Sequence, residues 1–127
     1  MTANELLRAA LALIATDSTQ AGDYYSVALP LINGLLAANF ARNNLLRLAR
    51  GREELKDMPQ LGDMGQTLPY EDELALTALP YGLASLLVAE DDMSRAAWLH
   101  NRYVDALSDS AAALPESIED VYAGGGA

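Results

Sequence analysis

Two stretches of this sequence carry no charged side chain, and they decide the fold class. They read YYSVALPLINGLLAANFA at residues 24–41 and LALTALPYGLASLLVA at residues 74–89. Both are rich in Leu and Ala, which are the strongest helix formers. Because charged segments flank both stretches in a small acidic protein, we predict two central helices that are buried on nearly all sides. Residues 24–41 are long enough to span a membrane, but their polar residues and helix breakers argue against insertion: Ser26, Pro30, Asn33, Gly34 and Asn39.

Two amphipathic helices are predicted outside these stretches. The first spans about Ala3 to Thr16, where Thr2 and Glu5 have the spacing of a capping box. The last spans about Met93 to Ala113. Its apolar positions alternate at spacings of four and three residues, which predicts a stripe packed against a bundle: Met93, Ala97, His100, Val104, Leu107, Ala111 and Leu114.

Glycine and proline set the expected limits of the two central helices. After a turn at residues 17–22, the second helix is predicted from Asp23 to Ala49 or Arg50, with Gly51 as its stop. The third is predicted from Tyr70 to about residue 89. Pro30 and Pro80 lie inside these helices and are expected to kink them, because a proline ring clashes with the carbonyl four residues earlier.

The remaining segments lack a helical pattern. Residues 51–69 contain Pro59, Gly62, Gly65 and Pro69, and a connection this long in a compact domain is expected to be either functional or mobile. Residues 114–127 follow a helix-breaking Leu-Pro pair and have too little apolar content to fold alone. The predicted fold class is therefore all-α: a compact bundle of about four main helices over residues 1–113, with a long 51–69 loop and a flexible, extended C-terminal arm at 114–127.

Charge divides the chain unevenly. The net charge is −10, yet residues 1–56 hold six bases against five acids, whereas residues 57–127 hold thirteen acids against two bases. This acidity disfavours affinity for nucleic acid. The asymmetry is compatible with plain solubility, and also with attraction between one end of a subunit and the opposite end of its neighbour. The chain has no Cys, which fits a reducing compartment, and its N-terminal segment lacks the positive start of a signal peptide.

No catalytic, metal-binding or cofactor-binding pattern is found, so we expect no enzyme activity, no metal and no cofactor. A phosphate-binding glycine loop and a nucleophile elbow are both missing. His100 is the single histidine and is expected to be a packing residue at a core or boundary position. A hydrolase that uses carboxylates would need acids that converge in a pocket. The clusters Glu71–Asp72–Glu73 and Glu90–Asp91–Asp92 instead bracket one predicted helix about 25 Å long, so they are interpreted as helix-end charges.

The bases of the first half gather in one run: Arg42, Arg47, Arg50, Arg52 and Lys56. Three interpretations stay open for this run, namely a solvated face, a phosphate contact, or binding of acids between subunits. Arg47, Arg50 and Arg52 are the candidates for a subunit interface, and their expected targets on the next copy are Glu71, Asp72, Glu90, Asp91 and Asp92.

Residues 68–107, LPYEDELALTALPYGLASLLVAEDDMSRAAWLHNRYVDAL, resemble head–tail connector (adaptor, or head-completion) proteins of tailed phages and prophages. The matching features are the acidic opening at 71–73, Leu-Pro-Tyr-Gly-Leu at 79–83, and Asp91–Asp92. Asn101-Arg102-Tyr103 and the closing Ile-Glu-Asp-Val-Tyr at 118–122 complete them. Weaker similarity covers the capped first helix and residues 31–36, so the resemblance extends over most of the chain.

The resemblance implies a virion-assembly subunit that docks on a portal protein and joins a ring, usually of twelve copies, while the isolated chain can be monomeric. It also implies a tail or stopper protein as a further partner, and DNA that passes through the ring without specific binding. Such a protein belongs in the virion, and in the host bacterial cytoplasm during assembly, with no membrane association. The C-terminal arm is expected to contact the portal or a neighbour through Ile118, Val121 and Tyr122.

A different class of function stays open beside this one. A small acidic helical module without enzyme activity could bind and regulate a single soluble partner, using the same bundle as a stand-alone domain. Stoichiometry discriminates the two hypotheses, because a regulator forms a defined complex with one partner and a connector forms a ring.

Overall fold

The computed structural model describes residues 1–14 and 18–111, and within these residues the chain is helical, with one isolated β-bridge between Thr2 and Thr67. The predicted all-α fold is therefore confirmed. The helices are α1 (Ala3–Ile14), α2 (Ser18–Ala38), α3 (Phe40–Ala49), α4 (Asp72–Ala75), α5 (Leu79–Val88) and α6 (Met93–Ala111). None of the helices in the described ranges is long and apolar enough to cross a membrane.

Helix α1 begins at the predicted capping box. The backbone N–H of Glu5 donates to Thr2 Oγ1 at 3.1 Å, and the backbone N–H of Thr2 donates to Glu5 Oε1 at 3.3 Å. The hydrogen bond from the Thr2 backbone lowers the pKa of the Glu5 carboxyl, because it favours the charged form. The apolar side of α1 is buried and packs chiefly against α5, through Ala3, Leu6, Leu7, Ala10 and Ile14.

The second predicted helix is two helices, because the chain turns at Asn39. Asn39 is buried, and its side-chain Nδ2 donates to the carbonyl of Leu35 at 2.9 Å and to Tyr103 Oη at 2.7 Å. An amide that bonds its own helix in this way competes with the regular backbone pattern. The predicted start was also wrong: α2 begins at Ser18, so residues 18–22 are helical rather than a turn. The helix continues through Pro30.

Helix α3 ends just before Gly51, the predicted stop. Gly51 has φ +74°, a left-handed conformation that glycine adopts without steric cost. Its N–H donates to the Leu48 carbonyl at 3.0 Å, and the N–H of Arg52 donates to the Arg47 carbonyl at 2.8 Å. These two bonds form a Schellman motif, which satisfies the last carbonyls of the helix.

The third predicted helix is also divided, into α4 and α5. Pro80 does not kink a helix; it occupies the first turn of α5, where a residue without an N–H leaves no helical hydrogen bond unmade. Burial on nearly all sides is confirmed for α5, in which only Leu86 is classed as exposed. It is wrong for α2, which lies at the edge of the bundle and exposes Tyr25, Val27 and Pro30.

The 51–69 connection packs against the helices through its second half. Its side chains Leu61, Met64 and Leu68 join the core. Its backbone also serves the start of α1: the N–H groups of Ala3 and Asn4 donate to the carbonyls of Gln66 and Met64 at 3.0 and 2.9 Å. The first N–H groups of a helix have no partner inside the helix, so this connection supplies them.

Helix α6 packs through a different face from the predicted stripe. Ala96, Leu99 and Ser110 are buried, with Tyr103 and Leu107 partly buried, whereas Met93, Ala97, His100 and Val104 of the predicted stripe are exposed. The side chain of Ala111 and all of Leu114 lie outside the described part of the chain. The prediction failed because α6 carries two apolar faces about one residue out of phase, and only one of them is packed.

Candidate interaction surfaces

Three arginines converge on one buried carboxylate at the junction of α3 and α4. Arg47 Nη1 lies 3.6 Å from Glu71 Oε1, Arg50 Nη1 lies 3.6 Å from Glu71 Oε2, and Arg52 Nη1 donates to Glu71 Oε2 at 3.2 Å. Arg50 also pairs with Glu73. We call these five residues the arginine–glutamate cluster. Glu71 is only 5% exposed, so the nearby positive charges offset the cost of burying its carboxylate.

Backbone and amide contacts fix the arginine–glutamate cluster in place. The backbone N–H of Glu71 donates to Asn43 Oδ1 at 2.8 Å, and Arg47 Nε donates to the carbonyl of Glu53 at 2.6 Å. Beside the cluster, burial raises the pKa of Tyr70 to about 12, and the Tyr70 hydroxyl donates to the carbonyl of Leu36. The cluster thus ties α3, the 51–69 connection and α4 together.

The predicted interface arginines therefore have acidic partners within their own chain. Arg47 is mostly buried, whereas Arg50 and Arg52 are 47% and 55% exposed and line an open pocket of about 410 Å³ that also includes Asp72. Contact between these arginines and the next copy stays a prediction. The two exposed guanidinium groups, of Arg50 and Arg52, are the ones placed to make it.

The second acidic cluster lies in the α5–α6 connection. Glu90, Asp91 and Asp92 are all exposed. Asp92 Oδ1 accepts a hydrogen bond from the backbone N–H of Arg95 at 3.0 Å, so it caps the start of α6. Asp91 Oδ2 accepts from the Tyr24 hydroxyl at 3.4 Å. Among the described residues no basic side chain lies within 4.0 Å of this cluster, so its charge faces solvent.

An apolar groove runs between α2, α5 and α6. It encloses about 320 Å³ and has no charged residue among its lining side chains: Pro30, Leu31, Gly34, Leu35, Ala38, Gly82, Ser85, Leu86, His100 and Tyr103. Gly82 lets the three helices approach, because a Cβ there would lie 3.0 Å from the Tyr103 ring and 3.1 Å from Leu35 Cδ2. We call this feature the α2–α6 groove.

The exposed stripe of α6 lies on the same side of the helix as the groove residue His100. Met93, Ala97 and Val104 stand three, four or seven residues from His100, and such spacings place side chains on one side of a helix. Met93 is 72% exposed and Val104 is 45% exposed. The groove and the stripe together form an apolar surface that the described residues do not cover, and such surfaces mark interaction sites.

His100 is exposed at the edge of the α2–α6 groove, its ring centroid 5.9 Å from that of Tyr103. Within residues 1–14 and 18–111, no group of three or more His, Asp or Glu side chains is placed to hold a metal ion. The two acidic clusters do not form one site, since α5 separates them.

Sequence reasoning missed the buried asparagines, which are central to these surfaces. Asn39, Asn43 and Asn44 are buried, and each accepts from or donates to a segment distant in the chain. The available signal was their presence in or beside a largely apolar helical stretch, because most buried side-chain amides have hydrogen-bond partners. Ile118, Val121 and Tyr122 of the predicted arm lie outside the described residues.

Comparison with known proteins does not extend this description, since no protein-family model, no curated protein and no solved structure matches the chain.

Proposed function

We propose that this chain is a structural, non-enzymatic subunit of a head–tail connector from a tailed phage or prophage. The observation that carries the proposal is the apolar surface formed by the α2–α6 groove and the exposed stripe of α6. A domain whose described residues leave such a surface uncovered on three helices has the character of a part that works by contact with other proteins. The resemblance of residues 68–107 to connector proteins supplies the identity of those partners.

Charge supports the same proposal. A ring needs heterologous contacts, in which two different faces of one subunit complement each other. Arg50 and Arg52 present positive charge at the α3–α4 junction, and Glu90, Asp91 and Asp92 present negative charge beyond the other end of α5. We propose that these two faces meet between neighbouring copies. The acidic second half would line a channel through which DNA slides without sticking.

The deciding experiment mixes the purified chain with the portal protein encoded by the same genome and images the product by electron microscopy. The expected result is a ring of copies on the portal, with a tail or stopper protein adding to it. A chain that ignores the portal and forms a one-to-one complex with a soluble protein would instead be a regulator, and the proposal would be wrong.

The proposed contact has its own test, reversal of Arg50 and Arg52 to Glu. Assembly on the portal should fall at least tenfold, because like charges then meet across the interface. Arg8→Glu is the matched control, since Arg8 is an exposed arginine outside the arginine–glutamate cluster. Circular dichroism and urea unfolding of each variant separate lost assembly from lost folding. Unchanged assembly in a folded double variant would exclude the contact.

A further inference from the structure

The lining of the α2–α6 groove favours an occupant of one chemical kind. That lining offers apolar surface and no acidic or basic side chain apart from His100, so it favours apolar side chains, and any carboxylate of a bound segment must stay in solvent. Leu86 is 45% exposed there, and covering such side chains is favourable by roughly 25 cal/mol per Å² of apolar area.

The chain carries a matching segment of its own beyond α6. Residues 112–127 contain three large apolar residues within five positions, Ile118, Val121 and Tyr122, which stand among acidic residues. We infer that residues 118–122 bind in the α2–α6 groove of the same chain. This inference does not depend on a role in a phage particle.

The length of the connecting segment allows this contact. Tyr103, the groove residue nearest the end of α6, precedes Ala111 by eight residues, which is about 12 Å of helix. Residues 112–117 can span up to about 20 Å when extended. Pro115 is incompatible with continuation of α6, so the chain is able to turn back beside the helix. A tether this short gives an effective concentration in the millimolar range.

A positive charge lies between the groove and the end of α6, and it complements the acidic residues that flank Ile118. Arg42 Nη1 donates to the carbonyl of Leu107 at 3.1 Å, between the groove and the end of α6. Within the described residues, no carboxylate lies within 4.0 Å of this guanidinium group. Glu116 and Glu119 flank Ile118, so either can pair with Arg42 when Ile118 enters the groove. The same segment of a second copy is a weaker candidate occupant, because it lacks the tether that raises the local concentration.

When residues 118–122 are bound, the chain itself covers the groove as a docking site. A partner that uses the groove must bring an apolar segment of its own and displace these residues. The displaced segment then becomes available to bind elsewhere. Binding of a partner in the groove is thereby coupled to release of residues 118–122.

Disulfide trapping tests the inference in the full chain, which contains no cysteine of its own. The probe is the double variant Gly34→Cys with Val121→Cys, because no atom of residues 1–14 and 18–111 lies within 4 Å of a Cβ added at Gly34. Two cysteines bridge only when their Cβ atoms come within about 4.5 Å. The matched control is Gly22→Cys with Val121→Cys, since Gly22 is an equally open glycine of α2 about 18 Å along the helix. Each pair is equilibrated in a glutathione buffer, and the disulfide is measured by mass spectrometry and non-reducing electrophoresis.

We expect the Gly34 pair to form an intramolecular disulfide with an effective molarity at least tenfold above that of the Gly22 pair. Adding Ile118→Ser and Tyr122→Ser to the Gly34 pair should remove that advantage, because tether length is unchanged while apolar anchoring is lost. Equal effective molarities, or an advantage that survives the two serines, would overturn the inference. A disulfide that forms mainly between two chains would also overturn it and would assign the groove to another copy.

Discussion

Asn33 on α2 and Leu61 in the 51–69 connection bond to each other as two paired strands do. The backbone N–H of Leu61 donates to Asn33 Oδ1 at 2.8 Å, and Asn33 Nδ2 donates to the carbonyl of Leu61 at 3.0 Å. Asn44 and Leu55 repeat the arrangement, at 2.9 and 3.3 Å. Two helical amides thus replace the backbone partners that an irregular segment lacks.

Replacing Asn33 by Leu should destabilise the protein by about 1–3 kcal/mol. The substitution leaves the backbone N–H and carbonyl of Leu61 without their partners, and a buried unsatisfied group costs about that amount. Urea unfolding followed by circular dichroism measures the change. Asn101→Leu is the control, because Asn101 is an exposed helical asparagine and should change the free energy of unfolding by less than about 0.5 kcal/mol. Equal effects of the two variants would show that the amide pair contributes nothing specific.

Alanine should have opposite effects at two glycines that face the α2–α6 groove. At Gly82 the new Cβ would meet the Tyr103 ring at 3.0 Å, and that ring is held by the hydrogen bond between its hydroxyl and Asn39. Overpacking costs about 1–3 kcal/mol, which exceeds the gain of up to ~1 kcal/mol in helix propensity. Among the described residues no atom lies within 4 Å of a Cβ added at Gly34, so these residues do not offset the propensity gain there. Thermal unfolding should therefore show a lower midpoint for Gly82→Ala and a higher midpoint for Gly34→Ala. Higher midpoints for both variants would mean that the Tyr103 ring moves to make room for the new Cβ.

Stability should fall between pH 10 and pH 12, and Tyr70 should account for part of the fall. Burial raises the pKa of Tyr70 to about 12, above the value near 10 of an unfolded tyrosine. In that window the folded state binds more protons than the unfolded state, so the free energy of unfolding decreases as pH rises, by about 2 kcal/mol in all. Tyr70→Phe should lose this component while costing about 1 kcal/mol at neutral pH through the missing hydrogen bond to Leu36. If the free energy of unfolding falls with the same slope above pH 10 in the unmodified chain and in Tyr70→Phe, this prediction is wrong.

Replacing Glu71 by Gln should destabilise the chain by about 1–3 kcal/mol. The neutral amide leaves three guanidinium groups close together without their shared carboxylate. The loss stays below the ~3–5 kcal/mol typical of a fully buried pair, because Arg50 and Arg52 are half exposed and regain water. Glu54→Gln provides the control in chemical denaturation, since Glu54 is exposed. If the free energy of unfolding falls no more than in the control, Glu71 does not stabilise the chain through the three arginines.

The features that sequence predicted correctly are local ones. The capping box of Thr2 and Glu5 and the glycine stop at Gly51 each involve residues within a few positions of one another. Their geometry follows from backbone chemistry at one helix end, so no knowledge of the rest of the fold is needed.

The features that sequence missed depend on distant partners. Asn39 follows the end of α2, and its amide bonds to Tyr103, which is sixty-four residues away. The packed face of α6 could not be chosen from periodicity, since its exposed and buried stripes are both apolar. The arginines were expected to find acids on another copy, and the acids at 71 and 73 of their own chain already lie beside them.

The contacts of residues 1–4 have a consequence for the order in which this chain can fold. Met1, Ala3 and Asn4 bond to residues 64–68, and α1 is buried mainly by α5, which ends at Val88. During synthesis on the ribosome, α1 therefore emerges long before the segments that cover it. Its apolar side stays open to water, or to chaperones, until the residues of α5 have left the exit tunnel, so the native core closes late.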